Sequence, residues 1–249
     1  MLLLHTLRTQ IEYTERITPL LADHYRIIVP DLPGFGRSSK ELNHPYNAAL
    51  FVETIGALIK KLDLNEVTLV GESIGGTIAL CLAAQMPGRI SQVFAFNPHD
   101  SMGSLIGGPI GSVVSYVGKF TEEPFKRDFP PLLKFIMQAG FANKKSLSNE
   151  FVEKLITVPS QDGRFPLVMK SLMKEAPSWS QIADKEYPKI PNSIPTQVIY
   201  GDKDWSPDYA LEQNKRRLPK HVRFDTLQKT GHFSFLDNPS ASASIIKAA

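Results

Sequence analysis

The chain has 249 residues, 42% of them hydrophobic and 21% charged, with a formal net charge of +3. That length fits one large domain or a domain carrying an insertion, and the apolar share is enough for a sizeable core. The small, interspersed charge argues against nucleic-acid binding and a polybasic membrane anchor, and a single cysteine, Cys81, excludes an internal disulfide framework and a cysteine-type metal site.

The chain opens on an apolar run, residues 2–5, that predicts a first strand. This run is too short for a secretory hydrophobic region and has no basic residues before it. No segment approaches the roughly 18 apolar residues of a transmembrane helix, so a soluble, cytoplasmic protein without membrane contact is expected. A helix follows over residues 13–22 and a strand over 25–30, then a Pro/Gly-rich loop from Asp31 to Ser38 and a helix over 47–62. Residues 67–70 are β-rich and run into Gly71-Glu72-Ser73-Ile74-Gly75, after which residues 74–85 carry a helical pattern. A strand over 93–96 closes this first part. Short apolar runs alternating with helical patterns predict βαβ units and a mostly parallel sheet flanked by helices, an α/β class.

Residues 98–191 break that rhythm and are too long for a simple crossover. Their amphipathic stretches, 131–140 and 149–156, and their apolar composition predict a helical insertion rather than a linker. Gly103, Gly107 and Gly108 are expected to be flexible entry points. The domain reading is therefore a core of residues 1–97 and 192–249 with an insertion of 98–191. Beyond it come a strand over 196–200, a loop Gly201-Asp202-Lys203-Asp204-Trp205, a helix over 208–217, a strand over 223–227, a loop Lys229-Thr230-Gly231-His232-Phe233 and a last helix over 239–247 with proline in its first turn.

The chemistry converges on strand ends. Strand, G-x-S-x-G and helix in succession describe a tight turn that presents a serine at the C-terminal edge of a sheet, with Gly71 and Gly75 giving the room. A serine hydroxyl needs a base, and the base needs an orienting acid. Among His5, His24, His44, His99, His221 and His232, only His232 follows a late strand with a glycine before it. The acid is to be found among Asp204, Asp202 and Asp100, each placed after a strand. Asp204 lies one helix and one strand before His232, and Ser73, Asp204, His232 is the chain order that a sheet of this kind needs.

These segments resemble the α/β-hydrolase superfamily. Asp31-Leu32-Pro33-Gly34-Phe35-Gly36-Arg37-Ser38 is similar to its D-x-P-G-x-G-x-S loop, and the nucleophile segment, Gly201–Asp204 and Gly231-His232 match in order and spacing. The resemblance implies Ser73, Asp204 and His232 as catalytic residues, because the last aspartate of G-x-x-D is usually the acid, and makes residues 98–191 the variable helical cap. It implies a holding role for Asp31. It also implies an oxyanion hole made by the backbone N–H groups of Ile74 and Leu7. Two departures stand out. Thr6 occupies the place of a glycine after His5, where a positive φ is hard for threonine to reach, and the chain begins almost at the family's third strand, so that the two leading strands are expected to be missing, either because the sheet is smaller or because the sequence starts late. Serine at position 73 separates the chain from the haloalkane dehalogenase and epoxide hydrolase branches, which use an aspartate there. The expected activity is hydrolysis of a carboxylic ester or related acyl substrate through an acyl-enzyme, with no cofactor, no metal, a small-molecule substrate and a monomer or homodimer. Other chemistry on the same triad remains open: C–C bond hydrolysis, cofactor-free haloperoxidation or acyl transfer. So does a non-catalytic ligand binder. Met102, Leu105, Ile106, Val113, Val114, Tyr116, Phe120, Phe125, Phe129, Phe135, Ile136, Met137 and Phe141 are candidates to line an apolar acyl pocket, or to pack the cap onto itself.

Overall fold

The computed structural model describes residues 1–100, 130–160, 162–205 and 208–248. Gly103, Gly107, Gly108 and the apolar candidates from Met102 to Phe129 lie outside the described residues. Among the described residues, five strands form one sheet: β1 (Leu2–Leu4), β2 (Val67–Glu72), β3 (Ile90–Phe96), β4 (Thr196–Gly201) and β5 (Arg223–Leu227). They lie in chain order across the sheet, and every neighbouring pair is parallel.

The helices are α1 (Thr18–Leu21), α2 (Ala48–Lys61), α3 (Ile74–Gln85), α4 (Pro130–Ala139), α5 (Asn149–Ser160), α6 (Phe165–Lys174), α7 (Pro177–Glu186), α8 (Asp208–Arg217), α9 (Ser234–Asp237) and α10 (Pro239–Lys247). Successive strand residues point to opposite faces. Leu4, Leu69, Val93, Ala95 and Val198 accordingly enter one core with α2, α3, α6 and α7, whereas Leu3, Val70, Phe94, Phe96 and Ile199 enter another with α1, α4, α5, α9 and α10. Apolar side chains on both faces explain why these strands are near-continuous hydrophobic runs. Helix α3 is buried all round because it is wedged between β2, β3, α2 and α7.

Two expected elements differ. The helix over 13–22 is instead a short 3-10 turn (Ile11–Thr14) and, after a break, α1. Pro19 causes this, since it has no N–H to donate one turn back and is tolerated only in a first helical turn. The strand over 25–30 is reduced to a single parallel bridge, Leu2 with Ile28. Its partner β1 is three residues long, so the contact is confined to Leu3 N–H to Ile28 O (2.9 Å), Ile28 N–H to Met1 O (3.0 Å) and the Met1 amino terminus to Arg26 O (2.8 Å), and Pro30 has no N–H to extend the ladder.

Candidate active site

Ser73 sits between the end of β2 and the first turn of α3 with φ 56° and ψ −120°, a conformation that a non-glycine residue rarely adopts. The neighbouring glycines are required by contact. A Cβ on Gly71 would lie 2.2 Å from the Gly75 carbonyl oxygen, and one on Gly75 would lie 2.6 Å from the oxygen of Leu4 and 2.7 Å from that of His5. The turn is pinned to the next strand by Ser73 N–H to Phe96 O (2.9 Å), and the Ser73 carbonyl accepts from Thr77 N–H and His99 N–H (3.1 Å each).

His232 and Asp204 meet. Nδ1 of His232 is 3.2 Å from each oxygen of Asp204, with only 3% and 5% of the two side chains exposed. Trp205 stacks on the imidazole at 4.8 Å between ring centres. The other two acids do different work. Asp202 accepts the Thr230 N–H (3.0 Å) and pairs with Lys203, so it fixes the turn. Asp100 faces Arg217 (3.3 Å), and burial raises its carboxyl to about 6 against the pull of that guanidinium. The backbone of the loop that carries His232 is held from several sides. His232 N–H donates to the Gly140 carbonyl (2.7 Å) and Gly231 N–H to Asp237 (2.9 Å). A Cβ on Gly231 would meet the Gly140 oxygen at 2.2 Å, so this approach also needs glycine.

The loop after β1 does not use a positive φ at Thr6; the left-handed residue is Arg8, at φ 57°. The Thr6 carbonyl instead closes the turn by accepting from Thr9 Oγ1 (2.8 Å) and His5 Nδ1 (2.9 Å). Leu32 N–H donates to Nε2 of His5 (2.8 Å), which assigns the proton to Nδ1 and ties this loop to the Asp31 loop. Burial pushes His5 down to about 4, so the ring stays neutral. Asp31 in turn accepts from Ile11 N–H (2.8 Å) and Arg37 N–H (2.9 Å), and Gly36, at φ 50°, leaves room for its carboxyl.

Leu7 and Ile74 line one apolar cavity with His99, Met169, Leu172 and Trp179. Ile74 is the first residue of α3, where a backbone N–H has no partner within the helix and the helix dipole is positive. His99 is buried, and desolvation followed by repulsion from His232 pushes it down to about 4; it presents a neutral ring to the cavity. Of the remaining apolar candidates, Phe135 is 58% exposed, whereas Met137 and Phe141 are buried in the second core with Phe233, away from this cavity.

A family model described as the alpha/beta hydrolase fold matches residues 1–239. The chain belongs to that family. An uncharacterized protein of Mycobacterium bovis is 23% identical over 243 residues, 91% of this chain and 68% of the relative. Shorter stretches match a haloalkane dehalogenase of Psychrobacter cryohalolentis (41% over 86 residues, 34% of this chain and 28% of that one) and a 2-hydroxymuconate semialdehyde hydrolase of a Pseudomonas species (36% over 77 residues, 31% and 27%). The solved structure of a membrane phospholipase A described as a bacterial virulence factor superposes with a TM-score of 0.79 at 20% identity, covering 99% of this chain and 76% of the other. At that identity the likeness shows the fold.

Within this α/β-hydrolase frame, two residues that sequence reasoning passed over join the strand ends. Glu72, fully buried, accepts from Tyr13 Oη on one oxygen and from Ser234 N–H (2.5 Å) on the other. Burial pushes its carboxyl up to about 7, against the Tyr13 hydrogen bond and the nearby His232. Asn97, at φ 43°, donates to His232 O (2.9 Å) and Ser234 Oγ (2.7 Å) and accepts Gly201 N–H (2.8 Å). The sequence signal was slight: a glutamate directly after an apolar strand run, and an asparagine placed directly between a strand and a proline. Among the described residues, no cluster of histidine, cysteine and carboxylate side chains could hold a metal ion, and no helix is long and apolar enough to cross a membrane.

Proposed function

We propose that the protein is a serine hydrolase acting on a carboxylic ester or related acyl substrate, with Ser73 as nucleophile, His232 as base and Asp204 as the acid that orients it. The observation that carries this reading is the buried Asp204–His232 pair, together with a serine held at positive φ at the N-terminus of α3. The Asp204 carboxylate accepts from Nδ1, which leaves Nε2 free to take a proton and stabilises the imidazolium that results. Ser73 Oγ attacks the carbonyl carbon and its proton passes to Nε2. The developing oxyanion is met by the N–H groups of Ile74 and Leu7, the residues that share the cavity wall. The alkoxide leaves with the proton from Nε2, and water then attacks the acyl-enzyme with His232 as base again, releasing the acid and restoring Ser73.

On this reading residues 1–97 and 192–249 are the catalytic core and 98–191 the cap. Support comes from α6 and α7, which bring Met169, Leu172 and Trp179 opposite Leu7 and Ile74. An apolar wall there favours an acyl chain of small to medium length. A panel of p-nitrophenyl esters of increasing acyl length, run with Ser73→Ala, tests the reading: turnover peaking at short to medium chains and lost in the variant is expected, whereas turnover that survives Ser73→Ala sinks it. The relative named as a 2-hydroxymuconate semialdehyde hydrolase favours one second reading, C–C bond hydrolysis on the same three residues. Inertness toward every ester together with cleavage of a 2-hydroxy-6-oxo-dienoate would select it. The match to a haloalkane dehalogenase does not extend the proposal to that reaction, because serine stands at position 73 where that branch uses aspartate.

A further inference from the structure

We propose that Glu72 is a positioning residue that clamps the base loop to the nucleophile turn; the inference rests on the assignment of Ser73 and His232 made above. Ser73 follows β2 and His232 follows β5, so two further strands stand between them in the sheet. Nothing in the sheet's own ladder fixes their separation to the few tenths of an ångström that proton transfer needs. Glu72 bridges that gap. Its backbone is joined directly to Ser73, and its Oε1 accepts the N–H of Ser234, two residues past His232, at 2.5 Å. Tyr13 Oη donates to Oε2 and fixes the carboxylate in rotation. Asn97 closes the same ring from β3, through its Nδ2 to His232 O (2.9 Å) and to Ser234 Oγ (2.7 Å).

Three kinds of donor, a phenol, a backbone amide and a side-chain amide, converge on one buried carboxyl group. A structural filler at this position would be apolar, because burying a carboxyl group inside a strand is costly unless its bonds are made. Nor does its side chain line the cavity. Glu72 therefore acts on the reaction through the loop it holds and not by touching substrate.

The clamp makes distinct predictions for Glu72→Gln, Glu72→Leu and Tyr13→Phe, measured by p-nitrophenyl butyrate hydrolysis, by the rate of fluorophosphonate labelling of Ser73, and by hydrogen exchange of residues 231–236. Glutamine keeps an acceptor for Ser234 N–H and can donate to Tyr13 Oη, so kcat within about threefold of wild type is expected. Leucine removes the acceptor. Its kcat is expected to fall about 100-fold with KM within about twofold, labelling to slow in parallel, and residues 231–236 to exchange faster. Tyr13→Phe should move all three readouts in the same direction by a smaller factor, about fivefold. A folded Glu72→Leu with wild-type kcat overturns the proposal, and so does Glu72→Gln losing as much as leucine, since charge and not the clamp would then be required. If Glu72→Leu does not fold, Tyr13→Phe decides, and unchanged kcat and exchange overturn the clamp. If wild-type protein reacts with neither the ester nor the fluorophosphonate, the hydrolase reading has failed; the exchange comparison, which needs no activity, still decides the clamp.

Discussion

Gly75→Ala puts the proposed nucleophile turn and the proposed oxyanion loop to test together. The added methyl would lie 2.6 Å from Leu4 O and 2.7 Å from His5 O, several tenths of an ångström inside normal contact. Both obstacles are backbone, and the nearer, Leu4, is held by the ladder of β1 to β2, so it cannot swing aside as a long side chain would. Overpacking of this sort costs about 1–3 kcal/mol. For a chain of this length each kcal/mol lowers Tm by roughly 2–4 °C, so a fall of about 2–12 °C is expected by calorimetry. The strain is relieved by pushing α3 away from the His5–Leu7 loop, which parts the Ile74 and Leu7 N–H groups. Misplacing one oxyanion donor is worth about 100-fold in kcat, about 2.7 kcal/mol. Gly88→Ala is the control, since nothing lies within 4 Å of its added methyl. An alanine at position 75 that leaves both Tm and ester kcat at wild-type values would refute the reasoning.

The remaining predictions concern single groups. Asp204→Asn should lower kcat about 10³- to 10⁴-fold, since asparagine favours the wrong imidazole tautomer, while Asp202→Asn should stay within about fivefold; steady-state kinetics showing the reverse order would assign the acid to Asp202. Thr6→Gly should leave kcat within about threefold, because the loop does not need a positive φ at that position, and should lower stability by about 0.5–1 kcal/mol through chain entropy. The rings of His5 and His99 should titrate near 4 by NMR. Their folded pKa values lie below the unfolded one, so the stability they contribute is complete above about 6.5 and is lost as the pH falls toward 4. Glu72 and Asp100, raised by burial, work in the opposite sense over much of that range. Midpoints near 6.5 for both rings would show that they are not buried as described.

Much of this architecture was legible because local and tertiary demands agree. Val67, Leu69 and Val70, and likewise Val198, Ile199 and Tyr200, are apolar and buried since both faces of the sheet are covered, and the helices over 74–85, 208–217 and 239–247 coincide with α3, α8 and α10. Where Pro19 and Pro30 intervene, hydrophobic pattern alone overran the backbone, predicting a helix that breaks and a strand that shrinks to one bridge. Thr6 misled for a different reason. A family pattern implied glycine geometry at that position, whereas the chain turns at Arg8 and closes the loop through the Thr6 carbonyl. Glu72 and Asn97 were not legible as partners, because their work is to join β2, β3 and β4 to the loop after β5, and strand order across the sheet is a tertiary fact.

The most direct test of the central proposal is covalent labelling of Ser73. Wild-type protein treated with a fluorophosphonate is expected to gain one adduct, located on Ser73 by peptide mass spectrometry, absent in Ser73→Ala and formed far more slowly in His232→Ala. Failure of folded wild-type protein to label, or labelling that survives Ser73→Ala, would contradict the assignment of this turn as the nucleophile.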